Sequence, residues 1–200
     1  MKILLVGGNG TIGKKVAAHL NEKHEVVIAG RKNADVHVDI KNKESILRMF
    51  EQVPLIDAVV CTAGEAKWDN FNDLTEEDFY IGIRSKMMGQ VNLVRIGKDF
   101  INSGGSFTLT TGILGEDPVA RTTSAALVNG ALHSFVKAVS LEIDNDIRVN
   151  AVAPGLVEDA YEKYKNFFPG FNAVPMNKVI NGYVRSIEGR IHGQVIRVYE

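Results

Sequence analysis

The sequence of 200 residues has one cysteine, Cys61, only five prolines, and no surplus of charge: 23 lysines and arginines face 24 aspartates and glutamates. A single cysteine forms no intrachain disulfide, so the fold must rest on burial rather than covalent staples, and a chain of this length can bury enough. Near-neutrality removes the field that would recruit nucleic acid or an anionic membrane. No apolar run approaches the roughly 20 residues of a membrane span. The opening Met1–Gly10 carries one lysine and a short apolar run cut off by glycines, which is not a secretory h-region. The histidines His19, His24, His37, His133 and His192 show no paired ligand spacing, so no metal site is read. These absences leave a soluble, cytoplasmic, globular chain with a small-molecule partner as the expectation, without nucleic acid or membrane.

What is present is alternation. Lys2–Val6 is a short apolar run ending in glycines, as a buried parallel strand does. Thr11–Asn21 follows with Ile12, Val16, Ala17 and Leu20 on one helical face. Strands are then read at Glu25–Ala29, Asp35–Ile40, Ile56–Cys61, Gly105–Thr110, Asp146–Val152 and Gln194–Tyr199. Helical patterns lie between them: Ser45–Phe50, a long helix from the capped start Thr75–Asp78 to about Ile101, and Thr123–Ile143. Strand and helix alternating throughout imply a single-domain, Rossmann-like three-layer α/β/α fold on a mostly parallel sheet of about seven strands. Residues 158–190 are the least regular stretch and are read as a substrate-loop or lid insertion over the ligand crevice.

The glycine loop carries the first chemistry. Gly7, Gly10 and Gly13 stand three apart where a strand hands over to a helix, in Gly7-Gly8-Asn9-Gly10-Thr11-Ile12-Gly13. Gly7 permits the tight turn, Gly10 lets backbone approach a pyrophosphate, and Gly13 lets helix and strand pack closely. The free N–H groups and dipole at the helix start favour phosphate. At the end of the second strand an NAD site usually holds an acid for the ribose 2′-hydroxyl. This chain has Ala29-Gly30-Arg31-Lys32 instead. Arg31 can bind a 2′-phosphate bidentately and Lys32 adds charge, which points to NADP(H).

With these residues in hand, the sequence resembles the short-chain dehydrogenase/reductase family, almost end to end. The resemblance implies that Asp39 and Ile40 contact adenine and that Thr62-Ala63-Gly64 is the turn after the fourth strand, with threonine where asparagine is usual. It implies that Pro154 and Gly155 lie beside the nicotinamide, with the Val157 backbone at the carboxamide and Asp159 in place of a threonine. It also implies pairing of subunits through the two long helices, as a homodimer or homotetramer. The family's four catalytic residues are asparagine, serine, tyrosine and lysine, of which tyrosine is the acid and lysine lowers its pKa. On this alignment the asparagine position is Lys86, the serine position Gly112 with Thr111 just before it, the tyrosine position Ala125 and the lysine position Asn129. All four differ from the pattern.

Three readings follow. In the first, Lys86 donates the proton and Thr111 or Asn129 orients the carbonyl. Burial would have to bring the ammonium down from about 10.4 for this to work near neutral pH. In the second, the chain only senses or buffers NADP(H). In the third, the acceptor is a flavin or quinone and needs no tyrosine. Trp68, Phe71, Phe79 and Tyr80 are read as core packing ahead of pocket lining, and His133, one turn beyond Asn129, as packing ahead of facing the same cavity. Tyr161, Tyr164, Phe167, Phe168 and Phe171 are substrate-loop candidates. Tyr183 is not assigned.

Overall fold

In a computed structural model, which describes residues 1–144 and 146–200, seven parallel strands form one sheet in the order β3-β2-β1-β4-β5-β6-β7. They are β1 (Lys2–Val6), β2 (Glu25–Gly30), β3 (Val36–His37), β4 (Ile56–Cys61), β5 (Ile101–Thr110), β6 (Arg148–Pro154) and β7 (Val195–Val198). β1 is buried from Ile3 to Val6 because it sits mid-sheet between β2 and β4, with helices on both faces. Its side chains alternate between two cores. Leu4 and Val6 meet α2 (Lys43–Gln52), α4 (Met88–Gly97) and α5 (Thr123–Val139) through Ile46, Phe50, Leu93, Leu132 and Val136. Ile3 and Leu5 meet α1 (Thr11–Leu20) and α7 (Met176–Ile187) through Val16, Leu20, Val179, Tyr183 and Ile187.

Sequence order reverses at β1/β4, so connections leave in opposite directions there and open a crevice beyond the strands' C-terminal ends. A third apolar cluster of Ile113, Leu114, Ala125, Leu156 and Phe168 lies at that end, beside the crevice.

Boundaries differ from the sequence pattern in informative ways. The capping box at Thr75 is present, its hydroxyl accepting from the Asp78 amide and the Asp78 carboxylate from the Thr75 amide. The long helix it starts is not continuous, however. α3 (Glu76–Gly82) gives way to a π-helical turn at Ile83–Met87 before α4 begins. β5 starts at Ile101 rather than Gly105, with a register shift opposite Ile56–Ala58 that absorbs Asn102–Gly105. β3 shrinks to two residues, and α5 stops at Val139. Between 158 and 190 the chain divides. α6 (Glu158–Tyr164) and the turn after it run along the crevice, whereas α7 is an integral layer of the sheet packing. Tyr183 on α7 is fully buried, its hydroxyl 2.6 Å from Thr110 Oγ1.

Candidate active site

Two recesses of about 630 and about 410 Å³ run along the strand ends and share Gly10, Thr62 and Gly64. They are therefore one crevice with a bend. Five strands end in a residue of its wall: Gly7 after β1, Arg31 after β2, Thr62 after β4, Thr111 after β5, and Pro154 at the end of β6.

The first recess takes Gly7, Asn9, Gly10, Arg31, Asp39, Ile40, Thr62, Ala63 and Gly64 from the residues predicted for the nucleotide. Its floor is fixed by contact distances. Gly7 has φ +90°, and a Cβ there would lie 2.8 Å from the Ala63 amide nitrogen. A Cβ on Gly13 would collide with the Gly7 carbonyl oxygen and stand 2.7 Å from Thr62 Oγ1. Gly13 lines neither recess, and its part is to let α1 approach β1. Around Gly10 only the Gly7 carbonyl oxygen comes near, at 3.4 Å from a built Cβ, so this segment is open to an approaching group. Thr62 Oγ1 donates to the Gly7 carbonyl at 3.0 Å, which makes the substituted turn part of the loop's support.

Asn9 Nδ2 donates to the carbonyls of Lys32 (3.1 Å) and Asn33 (2.7 Å), tying the loop that carries Arg31 to the glycine turn. The side chains of Arg31 and Lys32 make no ion pair or hydrogen bond among the described residues. Two uncommitted cations at the mouth, beside helix amides free for an anion, fit a phosphate-bearing nucleotide. Lys41 and Glu65 face each other across the same recess at 2.6 Å. That pair was not anticipated, because nothing in a sequence links positions 24 apart in two different turns.

The second recess gathers the other predicted residues: Thr11 and Ile12 from α1, Lys86, Thr111, Asn129, and Pro154, Gly155 and Val157. Ala125 lines it as well, so no tyrosine hydroxyl enters at that position. Gly112 lies beside it, with extended backbone (φ 171°). Lys86 is recessed in the π-helical turn. It arrives there because Gly64, at φ +132°, admits the Lys86 backbone where a Cβ would stand 2.9 Å from Lys86 Cα. Lys86 Nζ donates only a long 3.4 Å hydrogen bond to the Thr111 carbonyl, and no carboxylate pairs with it among the described residues. Burial brings its pKa down from 10.5 to about 8. The Cys61 thiol is itself pushed up to about 12 by burial and stays neutral.

Asn129 Oδ1 is buried without a hydrogen-bond partner. An orphaned acceptor of this kind is costly, and a ligand's donor would relieve it. Thr111 Oγ1 stands 2.8 Å from His133 Nε2, so His133 is a hydrogen-bonded neighbour of the site rather than packing alone. Asp159 pairs with Lys15 at 3.4 Å and is not part of the wall.

The aromatic residues sort differently from the expectation. Trp68, read as core, lines the second recess and packs on Tyr164 (5.3 Å), Phe167 (5.8 Å) and Phe168 (6.2 Å). Phe71, also read as core, is 66% exposed. Of the loop candidates, Tyr164 and Phe168 reach the recess. Among the described residues, no group of three or more His, Cys, Asp or Glu gathers to hold a metal ion, and no helix is long and apolar enough to cross a membrane.

Fold and crevice together define a Rossmann-type dinucleotide site. A family model described as enoyl-(acyl carrier protein) reductase matches residues 8–186, and the chain belongs to the short-chain dehydrogenase/reductase family. A short chain dehydrogenase, claC, of Passalora fulva is 26% identical over 180 residues, covering 77% of this chain and 67% of that one. The crystal structure of the protein lin1944 from Listeria innocua superposes with a TM-score of 0.97 at 45% identity, each chain covered in full. A small-chain dehydrogenase crystallised in complex with NADPH superposes with a TM-score of 0.87 at 27% identity, over 99% of this chain and 96% of that one.

Proposed function

We propose that this chain is an NADP(H)-dependent oxidoreductase whose proton donor to the substrate oxygen is Lys86. The observation that carries the reading is the placement of Lys86. It stands in the second recess without a carboxylate partner, and burial holds its pKa near the working range of a general acid. A lysine kept for structure would be expected to pair with an acid.

The residues divide the work along the crevice. Gly10, Thr11 and Ile12 would offer first-turn amides of α1 to the pyrophosphate, with Gly7 and Gly13 shaping the turn. Arg31 would take the 2′-phosphate, while Asp39, Ile40, Thr62, Ala63 and Gly64 would line the adenosine half. Pro154, Gly155 and Val157 would border the nicotinamide, which supplies or accepts hydride when bound. Thr111 and Asn129 would orient the substrate beside Lys86. Tyr164 and Phe168 would cover it as a lid contributed by the 158–190 segment and packed on Trp68, which suits an apolar or planar carbonyl, quinone or flavin. A cytoplasmic homodimer or homotetramer completes the reading, with Ile81 and Leu127 as exposed apolar residues on the long helices.

Ala125 in the tyrosine position favours a second reading, a non-catalytic NADP(H) sensor. Fluorescence titration with NADPH and NADH tests the common ground: much tighter NADPH binding is expected, and binding of neither would overturn both readings. Reduction of 9,10-phenanthrenequinone, flavin and simple carbonyls then separates the two, with Lys86→Met as control. Full activity in Lys86→Met would remove Lys86 from the mechanism, and no activity in any assay would leave the sensor.

A further inference from the structure

The wall of the second recess continues inward through groups that the proposed chemistry does not use. Thr111 Oγ1 meets His133 Nε2 at 2.8 Å, and His133 Nδ1 faces Glu116 Oε1 at 3.5 Å. Glu116 is in turn fixed by both ends of Arg197, at 2.7 Å each, and by the Tyr199 hydroxyl at 3.1 Å. His133 is 5% exposed, whereas Glu116 reaches the surface. These residues come from the 3₁₀ turn after β5, from α5 and from β7 with the residue after it. The contact is therefore built by tertiary structure.

The orientation of the ring decides a hydrogen-bond polarity. A neutral imidazole has one N–H and one bare nitrogen, and the nitrogen facing a carboxylate is the one that keeps the proton. Glu116 stays ionised: Arg197, its closest partner, holds its pKa below the usual carboxylate value. The ionised carboxylate at 3.5 Å favours the tautomer with hydrogen on Nδ1 and a bare Nε2. In that tautomer Thr111 donates its hydroxyl hydrogen to Nε2. Its other nearby acceptor, the Val152 carbonyl, is 3.4 Å away and weaker.

We propose that His133, set by Glu116, is a positioning residue that fixes the polarity of the Thr111 hydroxyl toward the substrate. With His133 neutral, Thr111 spends its hydrogen inward and presents lone pairs to the recess, where they accept from an alcohol hydroxyl or an ammonium. With His133 protonated, Nε2–H donates to Thr111 Oγ1 and frees the hydroxyl hydrogen for a carbonyl oxygen. The same threonine thus favours alcohol in one state and carbonyl in the other. Groups acting on His133 are Glu116, which favours its charge, and Arg197, Lys137 and Lys86, which together with burial oppose it. The neutral state accordingly dominates at neutral pH, and the protonated state requires acid below the ordinary histidine range. This inference uses the proposed placement of substrate beside Thr111, but its first test does not.

The test is nitrogen-15 NMR of the histidine rings in the intact protein without added ligand. In the wild type, His133 is expected as the Nδ1–H tautomer with Nε2 bare. Thr111→Val should shift the Nε2 resonance downfield by removing its donor, and Glu116→Gln should move the tautomer population toward Nε2–H. An Nε2–H tautomer in the wild type, or an Nε2 resonance indifferent to Thr111→Val, would overturn the proposal. Glu116 is at the surface, so the Gln variant should fold. The pH profile of phenanthrenequinone reduction, compared in wild type and Glu116→Gln, supplies the functional arm. Its acid limb should move in the variant, and an unmoved limb alongside a changed tautomer would refute the link to substrate. Failure of all turnover with the expected tautomer would count against the oxidoreductase reading instead.

Discussion

The two halves of the crevice are built on opposite principles. In the nucleotide half, backbone does the work: Gly7 and Gly13 are held by contacts no side chain could tolerate, and Asn9 and Thr62 brace the loop through main-chain carbonyls. In the reacting half, side chains do the work: Lys86, Thr111 and Asn129 line the recess, with Ala125 where the family resemblance implies a tyrosine. The first half has little room to change because its atoms already touch. The second is set by side chains that meet at few points: among the described residues Lys86 makes one long bond to the Thr111 carbonyl and Asn129 Oδ1 has no partner. Residues there can change without disturbing the contacts that shape the nucleotide half.

The comparison can be broken at either end. The largest effect should come from Gly13→Ala, since the new methyl would strike the Gly7 carbonyl. A loss of about 1–3 kcal/mol in stability is expected together with loss of NADPH binding, read by thermal melts and fluorescence titration. Normal binding by this variant would mean that the loop is not the nucleotide's seat. Next, Lys86→Met should lower any turnover about 10²- to 10⁴-fold while leaving NADPH affinity near normal. Arg31→Ala should cost about 10- to 100-fold in NADPH affinity and little in NADH affinity, narrowing the preference between them. If both cofactors weaken alike, Arg31 is not reading the 2′-phosphate.

The smallest effect is one of pH. The native pKa of Lys86, about 8, lies below its ordinary 10.5, so the folded state is penalised for holding the charge. That penalty is complete below pH 8 and disappears as pH rises from about 8 to 10.5, where the unfolded chain alone keeps the proton. Lys86→Met should therefore be more stable than wild type at pH 7, by on the order of 1 kcal/mol, with the gap closing in alkali. In the wild type, reduction should slow as pH passes about 8, and the variant should lack that limb. Denaturant melts at pH 7 and pH 10 and a rate profile check both.

What the sequence made legible follows the same division. Strand β1, the glycine loop and Arg31 could be read because burial and turn geometry impose residue types at fixed local spacing. That Lys86, Thr111, Ala125 and Asn129 line one recess agrees with the expectation, since each stands close to a local motif. The π-helical turn at Ile83–Met87 did not, because one extra residue per turn leaves the apolar pattern almost unchanged. Trp68 reads as core because an aromatic on a recess wall and one in a core look alike in sequence. The Thr111–His133–Glu116 contact was invisible because Arg197, which holds Glu116, is 81 positions away.

That long separation has a consequence for how the molecule assembles. The nucleotide half closes with contacts among the first 65 residues, apart from Ser85. The reacting half is braced only when β7 pairs with β6 and brings Arg197 and Tyr199 against Glu116. The span itself costs little more entropy than closing β1 on β4, but β7 can dock only once β5 and β6 have extended the sheet outward from β4. During folding, a chain should therefore acquire a place for the nucleotide before it acquires a place for chemistry. Pulse-labelled hydrogen exchange should find the amides of β1 and β4 protected before those of β7.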